Sequence, residues 1–326
     1  MPFGRFFLLV KPRLCTHTVS PMPWQTLPNS RCELGESPFW HPLESTLYWV
    51  DISGRQVLRA NVYMGEVQRW DMPCEPGCIA PVAGGGLVIA LRDGIFRARE
   101  WGGALEHLAT LPYDTASVRA NDGKCDPQGR LWVGTVDETK TANAAALYCV
   151  DGRSGSAQVH CHFEGALTGN GLAWSPDAST LYWADTPRHT VYAFSHAAAT
   201  NVLGKRADFV RVAPKPEGWN WTDRRYQGRP DGAAVDVHGH YTVAMYEGRM
   251  LCRFAPDGSL QQEMELPAQC PTMPCFGGED LRTLFVTSAR KGRPADELAL
   301  LPDSGSVFQR RVDAPGLAVN FMQLAS

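Results

Sequence analysis

The sequence lacks the marks of several protein classes. No stretch of its 326 residues approaches the ~18 consecutive apolar residues of a membrane-crossing helix. Charge of one sign is scarce too: 31 Lys plus Arg stand against 34 Asp plus Glu, a net charge of −3, with no long run of either sign. Such a balance offers little to a phosphate backbone or an anionic lipid surface, so neither nucleic acid nor membrane is expected as a partner. Helical periodicity is missing as well. No window of about a dozen residues sustains a 3.6-residue apolar repeat with caps, so helices should be few.

A secretion signal is also wanting. The apolar run inside RFFLLVK at 5–11 is shorter than the ~7–15 residues such a signal needs, and no small-x-small site follows. The chain reads as cytoplasmic, with residues 1–21 an over-extended start or disordered tail and one domain over 22–326. Its ten cysteines are then expected as free thiols. Cys74 and Cys78 lack a second pair or a histidine at zinc spacing, and His160 and His162 lack a third ligand. Ser37 and Ser288 stand outside any Gly-x-Ser-x-Gly elbow, and Gly84-Gly85-Gly86 precedes a strand rather than a helix. A zinc triad, a serine hydrolase and a phosphate-cradling loop are therefore unsupported.

Turn-formers are plentiful, with 31 Gly and 24 Pro, and their distribution reveals a repeat. A turn rich in Pro, Asp or Gly is followed six times by a β-branched and aromatic run: LYWVD at 47–51, LVIAL at 87–91, LWVGT at 131–135, LYWAD at 181–185, YTVAM at 241–245 and LFVTS at 284–288. The starts lie 40, 44, 50, 60 and 43 residues apart, the spacing of a four-stranded propeller blade at roughly 40–50 residues. Shorter strand-like runs follow most of them. The expected architecture is all-β: a six-bladed β-propeller of four-stranded antiparallel blades, closed by a strand near Trp24–Leu27 pairing with the last blade.

Residues at one offset in successive blades converge on the propeller axis. Ten or eleven residues before the aromatic run stand Glu36, Asn121, Asn170 and Asp231, in LGESPFW, RANDGK, TGNGLAW and RPDGAAV. In repeats two and six the nearest residues are the neutral Gly77-Cys78 and Cys275-Phe276. Carboxylates and amide oxygens crowded on an axis need a positive neutraliser, and hard divalent cations prefer this oxygen set. One bound ion is expected; calcium, magnesium, manganese, zinc and ferrous iron all stay open. The longest gap between repeats holds PKPEGWNWTDRRYQGRP at 214–230, making Trp219, Trp221 and Arg225 candidate rim residues.

These motifs resemble the senescence-marker-protein-30/gluconolactonase/regucalcin group of sugar lactonases, from about Arg31 to Phe308. GESPFW at 35–40, RANDGK at 119–124 with DPQGRLWVGT at 126–135, NGLAWSPD at 170–177, PDG at 230–232, and CFGG with DLRTLFVTSAR at 275–290 carry the resemblance. It implies a divalent metal on Glu36, Asn170 and Asp231, and substrate contacts at Arg119 and Asn121. A further acidic contact falls at Glu138, in a VDETK stretch shorter than in the animal proteins. The implied function is hydrolysis of a small, neutral aldonolactone, with Asp231 the candidate general base, in a monomer or weak homodimer. Rival readings are an aryl-ester or phosphotriester hydrolase and a non-catalytic calcium-binding propeller.

Overall fold

The computed structural model describes residues 23–325. The expectation for residues 1–21, with Cys15 among them, lies outside the described residues. Those described form twenty-four strands, a short helix at Ala295–Leu300 and a 3-10 turn at Thr186–Arg188. The strands make six antiparallel four-stranded sheets. Each predicted aromatic run is the second strand of its blade, as in Thr46–Asp51, Leu131–Asp137 and Thr180–Asp185.

Neighbouring inner strands pack around a complete ring, from Gly35–His41 through Cys270–Gly277 and back. The sixth sheet takes its outer strand from the N-terminal side, where Gln25 pairs with Gln309 and Thr26 with Phe308. This closure leaves the ring no open junction.

The apolar core is divided into six clusters, one between each pair of neighbouring blades. Sheets set radially diverge outward, and wide side chains fill the wedge. Trp132, Trp174 and Trp183 fill it between blades three and four, and Trp40, Trp49 and Phe285 between blades six and one. Trp49, Trp132 and Trp183 are wholly buried, and truncating any such side chain costs about 3–5 kcal/mol. The aromatic character of the runs is thus a packing requirement, not a cofactor box.

Every inner strand carries a β-bulge against its partner near the same end of the channel. Pairing slips between Glu36 and Phe39, Pro76 and Cys78, Ala120 and Gly123, Asn170 and Ala173, Pro230 and Ala233, and Pro271 and Pro274. A bulge re-aims side chains, and here six of them face one axis. The offset of eleven marks the last paired residue, Glu36 or Asn170; the offset of ten marks the first bulged one, Asn121 or Asp231.

Blade six departs from the sequence reading. Its bulge holds Thr272 and Met273, while Cys275 and Phe276 pair with Phe285 and Leu284 further down the strand. Val235 reaches its partner Tyr241 across five residues, whereas Phe276 reaches Leu284 across seven. That longer hairpin displaces the offset. The Thr272 hydroxyl donates to the Gly35 carbonyl at 2.6 Å.

The opposite end of the channel is strapped by the C-terminal segment, which bridges Gly316 to Asp236, Met322 to Val82 and Leu324 to Gly152. Above the strap lies a cavity of about 350 Å³ lined largely by apolar residues such as Ile79, Trp174, Met273 and Leu317, with Lys124 among them. None of the four axial residues lines it.

Candidate active site

The bulges bring Glu36, Asn121, Asn170 and Asp231 to one end of the axis, all buried. Glu36 Oε2 accepts the Ser37 N–H at 3.0 Å, and its carboxyl stands within proton-sharing reach of Asp231. The sequence reading missed a third acid, Asp122, the second bulged residue of blade three. Its Oδ2 accepts the Leu172 N–H at 2.9 Å, while Oδ1 has no partner among the described residues.

This crowding shows in proton affinity. Burial first, then the charges of Asp231 and Asp122, push the Glu36 carboxyl well above the usual range. Burial and Asp122 push Asp231 up to about 8, and burial raises Asp122. Lys124, whose ammonium donates to the Ala233 carbonyl, is the positive group beside Asp122, and burial pulls its own pKa down. Acids that hold protons for want of a counter-charge mark a place for a cation.

The amides supply the rest of that place, and their hydrogen bonds fix which way they point. Thr186 Oγ1 spends its hydrogen on the Pro230 carbonyl at 2.7 Å, so toward Asn170 it can only accept. The group facing it at 2.8 Å is therefore Asn170 Nδ2, which leaves Oδ1 turned to the site. Asn121 agrees. Its Nδ2 donates to Asn170 Oδ1 at 2.8 Å and to the Gly169 carbonyl at 3.0 Å, and its Oδ1 accepts from Arg119 Nη1 at 2.9 Å. Blade two cannot contribute a ligand: a Cβ on Gly77 would meet the Ala120 carbonyl oxygen at 2.5 Å.

Two further acids hold the strand entrances. Asp51, the last residue of LYWVD, accepts the N–H groups of Glu33 and Leu34 just before Glu36. Asp185, the last of LYWAD, accepts those of Leu167 and Thr168 just before Asn170. The sequence signal was the shared terminal Asp of the two runs, and Thr186 follows the second directly.

At the rim, Glu138 Oε2 pairs with Arg92 at 2.9 Å and its Oε1 lies 3.5 Å from Arg119. The long loop bonds both within itself and to other segments, Lys215 pairing with Glu247 and Arg224 with Glu265. Arg225 is exposed and paired with Asp223, Trp219 packs edge-on against Tyr226, and Trp221 Nε1 donates to Asp296. His162 stacks on Trp132, while Ser37 Oγ and Ser288 Oγ bond backbone groups at Ile79 and Ser306.

Among the described residues no three His, Cys, Asp or Glu side chains form a metal-holding group by themselves. An amide oxygen must therefore complete any such set. Glu36, Asp231 and the inward Oδ1 of Asn170 offer hard oxygens of the kind divalent cations accept.

The whole chain compares well with known proteins. It is 40% identical over 285 residues to a 6-deoxy-6-sulfogluconolactonase of Pseudomonas putida, covering 87% of this chain and 93% of that protein. It is 33% identical over 290 residues to regucalcin of Gallus gallus, covering 86% and 91%. The crystal structure of a calcium-binding protein, regucalcin, from Agrobacterium tumefaciens superposes with a TM-score of 0.84 at 27% identity, over 92% of this chain and 97% of that one. Residues 34–290 match the SMP-30/Gluconolactonase/LRE-like region. On the match of residues 34–290 and on relatives 33–40% identical, this chain belongs to the SMP-30/gluconolactonase/LRE-like family.

Proposed function

We propose that this protein hydrolyses a sugar lactone to its aldonic acid, with one divalent cation held by Glu36, Asn170 and Asp231. The observation that carries the reading is the Asn170 amide, locked oxygen-inward by Thr186 at the end of the axis where the Glu36 and Asp231 carboxyls are also buried. Its position beside Arg119 and Asn121 gives the site a substrate-binding side. The names of the relatives, a sulfogluconolactonase and two regucalcins, support the lactone and the ion respectively.

When bound, the cation supplies positive charge for the lactone carbonyl as it turns into an oxyanion. The residues do the rest. Asp231 accepts a proton as a water oxygen bonds to the carbonyl carbon, and returns it to the ring oxygen when that C–O bond breaks. Water and lactone thus become one aldonic acid. Asn121 and Arg119 bind substrate oxygens, Arg119 adding a second positive group near the developing charge. Glu138 orients the Arg119 guanidinium and keeps lone pairs for a sugar hydroxyl. Glu36 serves the ion alone. A cytoplasmic setting would suit the nine described cysteines, all free thiols.

A pH-indicator screen of metal-free protein against a panel of aldonolactones, with each divalent ion added in turn, tests this reading. Acid release should appear with at least one lactone and ion; its absence for every pair would overturn the proposal. Thr186→Val should weaken binding of the effective ion by about 10- to 100-fold, as loss of a group orienting a ligand does. Calorimetric titration checks this, and a change below twofold would show that Thr186 does not set the amide.

A further inference from the structure

Five of the six aromatic runs open on leucine, at Leu47, Leu87, Leu131, Leu181 and Leu284, but the run of blade five opens on Tyr241. All six residues are buried, and Tyr241 is wholly so, in the apolar seam between blades four and five. A phenol in a leucine position carries a hydroxyl into that seam, and a buried hydroxyl needs a partner. Tyr241 finds one in the next blade: its hydroxyl donates to the Gly171 carbonyl at 2.8 Å. The other end of the same peptide unit, the Leu172 N–H, donates to Asp122 Oδ2 at 2.9 Å. One peptide plane of blade four is thus held at both ends, by blade five through its oxygen and by blade three through its hydrogen. That peptide lies in the bulge, where Gly171 and Leu172 fall between the paired residues Asn170 and Ala173. A bulge interrupts the ladder that elsewhere fixes each peptide plane, so side chains must fix this one.

We propose that Tyr241 is a positioning residue of the ion site: by pinning the Gly171–Leu172 peptide against Asp122, it fixes the bulge that aims Asn170 and the spacing between Asn170 and Asp231. This deepens the lactonase reading and rests on its ion site. Gly171, at φ +62°, is the residue about which the peptide would turn if released. A Cβ there would strike the Tyr241 hydroxyl and stand 3.1 Å from the Asp231 carbonyl oxygen, so the strands carrying Asn170 and Asp231 abut at this point. A planar peptide held at both ends cannot turn. Thr186 decides which end of the Asn170 amide faces the axis, and Tyr241 decides where the backbone beside that amide stands. Wholly buried, Tyr241 acts on the ion through that backbone alone. No other run needs such a hydroxyl, because no other bulge lies between two blades that both contribute to the site through bonds to its backbone in this way.

The test is Tyr241→Phe, which keeps the ring and removes the bond. Chelator-stripped protein is titrated by calorimetry with calcium, magnesium, manganese and zinc, each alone. The tightest-bound ion should be weakened about 5- to 50-fold, the loss expected when a buried carbonyl is left without its donor. Hydrogen exchange at the Leu172 amide, followed by NMR in the ion-free protein, should quicken by about the same factor, because the freed peptide opens locally. Tyr182→Phe is the control. Its ring lies 5.0 Å from that of Tyr241 in the same seam, and its loss of a hydroxyl should change the ion affinity by less than about twofold. An unchanged affinity in Tyr241→Phe, or an equal loss in Tyr182→Phe, would overturn the proposal, as would a wild type that binds none of the four ions. If the ion binds and Tyr241→Phe weakens it while no lactone opens, the positioning role stands and the lactonase reading alone falls.

Discussion

Asp231→Asn is expected to lower lactone turnover by about 10²- to 10⁴-fold, the share of a positioned proton acceptor, while the protein stays folded. The amide has nearly the shape of the carboxyl but cannot take a proton from water. Folding should not suffer, because Asp231 is buried beside Glu36 and Asp122 and its charge is opposed rather than welcomed there. Removing a repelled charge relieves the axis. The loss should fall on kcat, with KM changed little, since Arg119 and Asn121 still bind the sugar. Steady-state kinetics with metal analysis of the same sample check this. An Asp231→Asn protein that keeps both its ion and most of its turnover would show that another group takes the proton.

The second large effect concerns stability. Asp126→Ala should cost about 3–5 kcal/mol, because it strands a buried charge. Asp126 is wholly buried, and its two oxygens accept from the N–H groups of Gln128 and Arg130, from Arg130 Nε and from Trp132 Nε1. Arg130 is equally buried, its other contact being the Ala198 carbonyl. Without the acid, the guanidinium and the indole N–H both lose their acceptor in the apolar seam between blades three and four. Adding Arg130→Met to Asp126→Ala should restore much of the loss, since a missing pair costs less than half of one. Urea unfolding midpoints of the single and double variants measure this; a single-variant loss under about 1 kcal/mol would refute the assignment.

The parts of the fold that repeat were legible. Each aromatic run announced a second strand because wedge-shaped seams demand wide side chains at every junction, and a period near 47 residues gave the blade. The offset of ten or eleven anticipated the bulged inner strand without showing why it took two values. In blade six a hairpin two residues longer sets the first bulged residue, Thr272, twelve before the run instead of ten, so the offset led to the wrong residues. What escaped the sequence depends on contacts between blades. Asp122 looked like one acid in a turn-like NDG, and only the bulge turns it with Asn121 toward the axis. Thr186 orients Asn170 through a carbonyl 44 residues away. Tyr241 meets Gly171 only because neighbouring blades abut. The Trp-rich loop, which the sequence offered as a rim, ties Trp219 and Arg225 to its own Asp223 and Trp221 to Asp296.

The claim at the centre of this account is that one ion on Glu36, Asn170 and Asp231 is needed to open the lactone. Its most direct test is to titrate the effective divalent ion into chelator-stripped protein while following acid release from the lactone that it opens. The account predicts no release at the start, a rise with each addition and a plateau at one ion per chain. Full activity in the stripped protein, or a rise that runs past one equivalent without a break, would contradict it.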